Sequence, residues 1–180
     1  MTGLLVRDAI PSDAAEVAAI GRRALPETFR DICPPEVISN IVAQSYALDA
    51  LRESIARSGA AHDAHFLVAE EDGDIVGFLH YDCEGSDPEL HRIYLEPTRK
   101  RRGIGTALVS ELHRRLPPGT TYVLMVVAAN QPAVSFYRKH GYVERERLDG
   151  VTFMHDRMGV EFPTGTPAVP ALLLEFTTAH

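Results

Sequence analysis

Residues 93–106 read IYLEPTRKRRGIGT, and no other run constrains the fold of this chain as tightly. A short apolar segment with strand character stops at Pro97. Four consecutive cations follow at 99–102, then Gly103 and Gly105 flank one residue, and an amphipathic pattern begins. A glycine turn that opens a helix presents backbone N–H groups with no helical partner at the positive end of the helix dipole. That arrangement is an anion site, suited to phosphate. A strand, an anion turn and a helix in this order require a mixed α/β chain.

The flanking sequence fits. Leu4–Arg7 has strand character, and Asp13 with Glu16 has capping-box spacing before Val17, Ile20 and Ala24 recur at helical intervals. Pro26 is expected to interrupt that helix, and Pro34-Pro35 to start another. Leu48, Leu51 and Ile55 mark a third. Then 65–70 and 75–81 read as strands around the hairpin signal Asp72-Gly73. In 90–95, Ile93 and Leu95 share one face and Arg92 and Tyr94 the other. The continuous apolar run 122–128 fits a strand covered on both sides. Asn130 is expected to cap a short helix over 132–140, with Gly141 after it. Segments 142–148 and 152–158 suggest a hairpin around Asp149-Gly150. The expected fold is α/β (α+β), a mixed, mostly antiparallel sheet flanked by helices. One domain spans 1–158, and 159–180 is a proline-containing tail with an apolar end.

Composition narrows the function. A chain of 180 residues with 45% hydrophobic residues supports one core. No apolar run approaches ~18 residues, and the N-terminus lacks a basic start with a long apolar stretch. No membrane association and a cytoplasmic location are therefore the expectation. Cys33 and Cys83 lie in no metal or disulfide pattern, and His62 and His65 have no completing ligand, so no metal is expected. Net charge is −7, and between 61 and 97 ten acids face one base, Arg92. Such a chain is a poor nucleic-acid binder. Its cation cluster suits one compact anion, and the acidic segment beside it favours a cationic second ligand.

Several readings of the turn compete. A dinucleotide fold wants a third glycine where Leu108 stands, and no P-loop signature is present. A basic patch alone leaves the glycines without a role. A purely structural turn remains open on these residues alone.

More than the turn is patterned. Leu90-His-Arg-Ile-Tyr-Leu-x-Pro97 precedes Lys100-x-x-Gly103-x-Gly105-x-Ala-Leu108, and Asn130-x-x-Ala133-x-x-Phe136-Tyr137-x-x-x-Gly141-Tyr142 follows the next strand. With Ile75-Val-Gly77 upstream, these blocks resemble the GCN5-related N-acetyltransferase (GNAT) family over roughly residues 3–158. Lys100 stands where that family usually has Arg or Gln. The resemblance implies the acyl-CoA N-acyltransferase fold, acetyl-CoA as cosubstrate, and splayed fourth and fifth strands. It places the pantetheine arm along Ile93, Tyr94 and Leu95, and the pyrophosphate over Lys100, Arg101, Arg102, Gly103, Ile104, Gly105 and Thr106. Asn130 and Ala133 line the same cofactor site. Tyr137 occupies the family's general-acid position, and a phenol of pKa near ~10 can protonate a leaving thiolate.

Attack on a thioester needs a neutral amine, so a base or a water chain to one is expected. Glu89, His91 and His80 are the candidates, with Glu89 acting through water slightly favoured. Strand alternation puts Glu89 and His91 on one face with Ile93. The first helices resemble bacterial polyamine (diamine) N-acetyltransferases, which implies acceptor contacts from Glu27, Phe29, Asp31 and His80. The activity implied is acetyl transfer to a small-molecule primary amine in a ternary complex, with a homodimer common for such proteins. The alternatives are acetylation of a protein or peptide amine, and a degenerate CoA-binding sensor or interaction module.

Overall fold

The computed structural model describes residues 3–60, 64–83, 88–148 and 169–179. Strand β1 (Leu5–Asp8) leads through a 3-10 turn at 11–13 into helices α1 (Ala14–Phe29), α2 (Pro35–Ser45) and α3 (Leu48–Ala60). Strands β2 (His65–Glu71), β3 (Asp74–Asp82) and β4 (Glu89–Leu95) follow. Then come α4 (Ile104–Arg115), β5 (Thr121–Val127), α5 (Gln131–Lys139), β6 (Val143–Leu148) and β7 (Ala171–Thr177). Seven strands form one sheet in the order β1-β2-β3-β4-β5-β7-β6. All neighbours are antiparallel except β4 and β5.

Alternation within the strands sorts the core into two layers. Phe66, Val68 and Phe78 face α1–α3 and join Val17, Ile20, Leu25, Ile41, Leu51 and Ile55. Leu67, Ala69 and Leu79 face the other way and join Leu108, Leu112, Leu124, Val134, Leu172 and Leu174. Helices therefore cover both faces of the sheet, as the doubly buried run in β5 requires. Among the described residues no helix is long and apolar enough to cross a membrane.

Four sequence expectations change. Helix α1 continues through Pro26 to Phe29, because the proline lies in its last turn, where few helical bonds remain to lose. Asp13 does not cap α1 with its side chain. Its Oδ2 accepts from Ile10 N at 2.9 Å and from Arg7 Nη1 at 2.7 Å. Among the described residues β6 pairs with β7, and the expected hairpin partner 152–158 lies outside them together with Asp149-Gly150 and His62. Residues 171–177 are thus not an appendage beyond 158. Their apolar run inserts between β5 and β6, with Leu172 and Leu174 in the core, because a strand this apolar needs cover on both faces.

Candidate active site

The site begins with two departures from regular strand pairing. Strands β4 and β5 run parallel but pair only at Glu89 and Val123, where Val123 N donates to Pro88 O at 2.9 Å. Beyond that point they part. The opening continues into a cavity of ≈ 1010 Å³ whose walls include Ile93, Tyr94 and Leu95 from β4 and Met125, Val126 and Val127 from β5.

The second departure is a bulge between β3 and β4. His80 pairs with Arg92 and Tyr81 with Leu90, so His91 is the extra residue. The bulge corrects the expected face assignment. Ile93 and Leu95 pack with the α4-side core, whereas His91 lies beside His80 on the α3 side, their ring centroids 5.1 Å apart. Arg92 and Tyr94 face α1–α3 as expected. Arg92 lies over the Tyr46 ring at 5.7 Å and donates to Ser45 O at 2.9 Å.

At the far end of β4 the chain makes the predicted turn. Gly103 is the N-terminal residue flanking α4 and has φ +84°, and Arg101 has φ +63°. Ala107 N makes the first helical bond, to Gly103 O at 2.9 Å, so the N–H groups of Ile104, Gly105 and Thr106 have no partner within the helix. A Cβ built on Gly103 meets nothing within 4 Å, while one on Gly105 meets the Phe136 ring at 3.3 Å. The turn is an open cradle of amides on a helix N-terminus, and it fits a pyrophosphate.

The cations divide their work. Arg99 and Arg102 both pair with Glu71, at 2.6 and 3.1 Å, and Lys100 Nζ donates to Glu27 Oε1 at 2.7 Å. Arg101 makes no ion pair among the described residues and lines the cavity with Lys100. Thr106 Oγ1 meets His140 Nε2 at 3.0 Å. Asn130 Oδ1 accepts from Ala133 N at 3.3 Å, so its side chain caps α5 and holds that helix against the opening. Tyr137, on the buried face of α5, lines the cavity, and burial pushes its phenol well above the usual range.

Opposite the turn, β3 and β4 bring four titratable groups together. Asp82 stands between two imidazoles. His91 Nε2 is 2.9 Å from its Oδ1, and His80 Nε2 is 3.5 Å from its Oδ2. Glu89 Oε1 is 3.9 Å from His91 Nδ1. Both carboxylate side chains are 12% exposed. His80 stacks on Phe66 with centroids 4.9 Å apart, and Ser54 Oγ is 3.4 Å from its Nε2. Burial, with Arg92 and His91 nearby, pushes its imidazole down to about 3.

Two of the expected acceptor contacts are corrected. Glu27 is paired with Lys100 and does not line the cavity, and Asp31 turns outward, 91% exposed, toward Arg30 at 3.6 Å. Glu27 lies on α1 beside the inward-facing Leu25, Thr28 and Phe29 but off that face, and Asp31 comes after the helix has ended at Phe29. His80 does line the cavity, but its low basicity and its packing on Phe66 remove it as a base. Phe29 lines the cavity. Asp82 was not anticipated. The available signal was its place two residues after His80 in a strand, on the same face.

Residues 62–144 match the family described as acetyltransferase (GNAT) domain. This match to the GNAT family spans just under half of the chain. The fold matches that of solved GNAT acyltransferases, and the relatives indicate an acetyl-CoA-dependent N-acetyltransferase. Among its relatives, a spermidine N(1)-acetyltransferase of Thermoplasma acidophilum is 27% identical over 147 residues, covering 81% of this chain and 91% of that one. An N-alpha-acetyltransferase of Sulfurisphaera tokodaii is 26% identical over 157 residues, covering 77% and 80%. The crystal structure of the PaiA N-acetyltransferase of Thermoplasma acidophilum in complex with coenzyme A superposes with a TM-score of 0.76 at 23% identity. It covers 97% of this chain and 99% of the other.

Proposed function

We propose that this acetyltransferase modifies a primary amine of a small, polyamine-like molecule by direct transfer in a ternary complex. The observation that carries this reading is the acidic end of the cavity. Asp82 and Glu89 sit where β4 and β5 meet, across from an apolar wall that includes Leu25, Phe29 and Leu51. Buried carboxylates favour an ammonium group, and apolar walls suit the methylene stretches between a polyamine's nitrogens. The likeness to the spermidine acetyltransferase supports the same class.

In this reading the backbone of Ile93, Tyr94 and Leu95 receives the pantetheine arm, and the N–H groups of Ile104, Gly105 and Thr106 receive the pyrophosphate. Bound acetyl-CoA supplies an activated thioester. Glu89 and His91 take the proton that the attacking nitrogen must lose, and Tyr137 returns one to the sulfur as the carbon–sulfur bond breaks. The raised pKa of Tyr137 keeps it protonated, as an acid requires.

The test is thiol release from acetyl-CoA with a panel of diamines and polyamines, free amino acids, a lysine peptide and a peptide with a free N-terminus. The highest kcat/KM is expected with a diamine or polyamine. Tyr137→Phe is expected to lower kcat by roughly 10²-fold or more while leaving CoA binding intact. Turnover confined to peptides would replace the small-molecule reading with a protein-directed one. Tight CoA binding with no thiol release from any amine would leave a binding module.

A further inference from the structure

We propose that Asp82 is a positioning residue for His91, setting Nε2–H toward its carboxylate and leaving Nδ1 as the proton acceptor for the incoming amine. The proposal deepens the amine-acetylation reading and rests on it.

The geometry begins at the bulge. As the extra residue of β4, His91 is delivered to the α3 side of the sheet, next to the end of β3. Its Nε2 is buried and makes no linear hydrogen bond, although Asp82 Oδ1 is only 2.9 Å away. A buried donor without a partner is costly, so the carboxylate is its natural acceptor. A small rotation of the ring aligns it with the carboxylate, the kind of tightening that catalytic contacts undergo when substrate arrives. The His91 side chain as a whole is 28% exposed and lines the cavity, so its accessible surface belongs to the ring atoms other than Nε2.

The neighbours restrict the roles available. From β3, His80 and Asp82 face His91, and from β4, Glu89 and Arg92 flank it. Ser54 and Arg57 of α3 stand over His80. His80 stays neutral beside the same carboxylate, so it does not compete for a proton. When Nδ1 of His91 takes the amine proton, directly or through a water held by Glu89, the new imidazolium lies between two carboxylates. An imidazole with a carboxylate behind one nitrogen and a substrate before the other is a standard base arrangement, in which the carboxylate selects the tautomer.

The test uses the full chain. Side-chain ¹H–¹⁵N correlation spectra, with His91 assigned by its loss in His91→Gln, are expected to show Nε2 protonated and Nδ1 bare in the wild type at basic pH. Asp82→Asn, whose amide can donate, is expected to shift that tautomer and lower kcat roughly tenfold or more, with KM for the amine within about threefold. Asp82→Glu is expected to restore part of kcat and the original tautomer. If Asp82→Asn fails to fold, Asp82→Ser gives the same reading. The same tautomer with and without the carboxylate overturns the proposal, as does unchanged kcat in His91→Gln. The spectra need no turnover. A wild type inactive on every amine therefore defeats the functional reading alone.

Discussion

Gly103 and Lys100 separate what a motif residue's chemistry does from what its backbone does. Lys100 is the motif cation, but its ammonium is held by Glu27 at 2.7 Å across an exposed pair. Such pairs contribute little, and removing this one leaves the turn's amides in place. Gly103 has φ +84°, where a branched side chain is strained by about 1–2 kcal/mol, and its open side is the cradle itself. Calorimetric titration with CoA is therefore expected to show Lys100→Ala weakening binding by less than about tenfold. Gly103→Val is expected to abolish it while costing only that strain in thermal stability. A larger loss from Lys100→Ala than from Gly103→Val would reverse the assignment. The sequence made this turn legible because glycine spacing and helix onset are local properties. The Asp82–His91 contact was not legible, because it depends on a bulge that only the pairing of two strands defines.

At the scale of elements, the acceptor half of the cavity depends on how α1 and α2 are joined to the sheet. Tyr46, at the end of α2, is 1% exposed, and its ring meets Phe78 and Tyr94 edge-on at 6.3 and 6.5 Å. Arg22 of α1 donates to its carbonyl at 3.0 Å, and Gly21 gives the ring room. A Cβ on Gly21 would overlap the Tyr46 ring. Alanine gains about 1 kcal/mol of helix propensity over glycine, but overpacking a rigid aromatic costs about 1–3 kcal/mol. Gly21→Ala is expected to lower the unfolding midpoint in urea and to raise the amine KM, since Tyr46 lines the cavity. CoA affinity is expected to change less, because the turn at 101–106 is built by other elements. A stability gain would show that Tyr46 yields freely and does not fix α1 to the sheet. Helical periodicity announced both helices, yet the glycine's reason is a long-range contact that no local pattern carries. Pro26 shows the converse, a strong local breaker that α1 accommodates in its last turn.

At the scale of the whole molecule, the order of strands decides what can be removed. Read along the chain, 171–177 follows a proline-containing stretch and looks detachable. In the sheet, the same residues pair with β5 over seven positions, from Thr121 with Thr177 to Val127 with Ala171, and on the other side they hold β6. Leu172 and Leu174 sit at 2% and 0% exposure in the core that also holds Tyr137 and Tyr142. Without β7, β5 loses its antiparallel partner and keeps the single pairing with β4. Strand β6 loses its only partner among the described residues. Burying a leucine contributes about 1.5–3 kcal/mol, so two of them with the strand's hydrogen bonds approach the whole stability of a domain this size. A chain ending at residue 158 is therefore expected to lose the dispersed amide spectrum of a folded protein and to bind no CoA, and the full chain to keep both. Supplying 169–180 as a separate peptide is expected to restore part of the dispersion, since strand addition between two waiting edges needs no covalent link. A folded, CoA-binding fragment of 1–158 would show that some other segment completes the sheet and that the apolar end serves elsewhere.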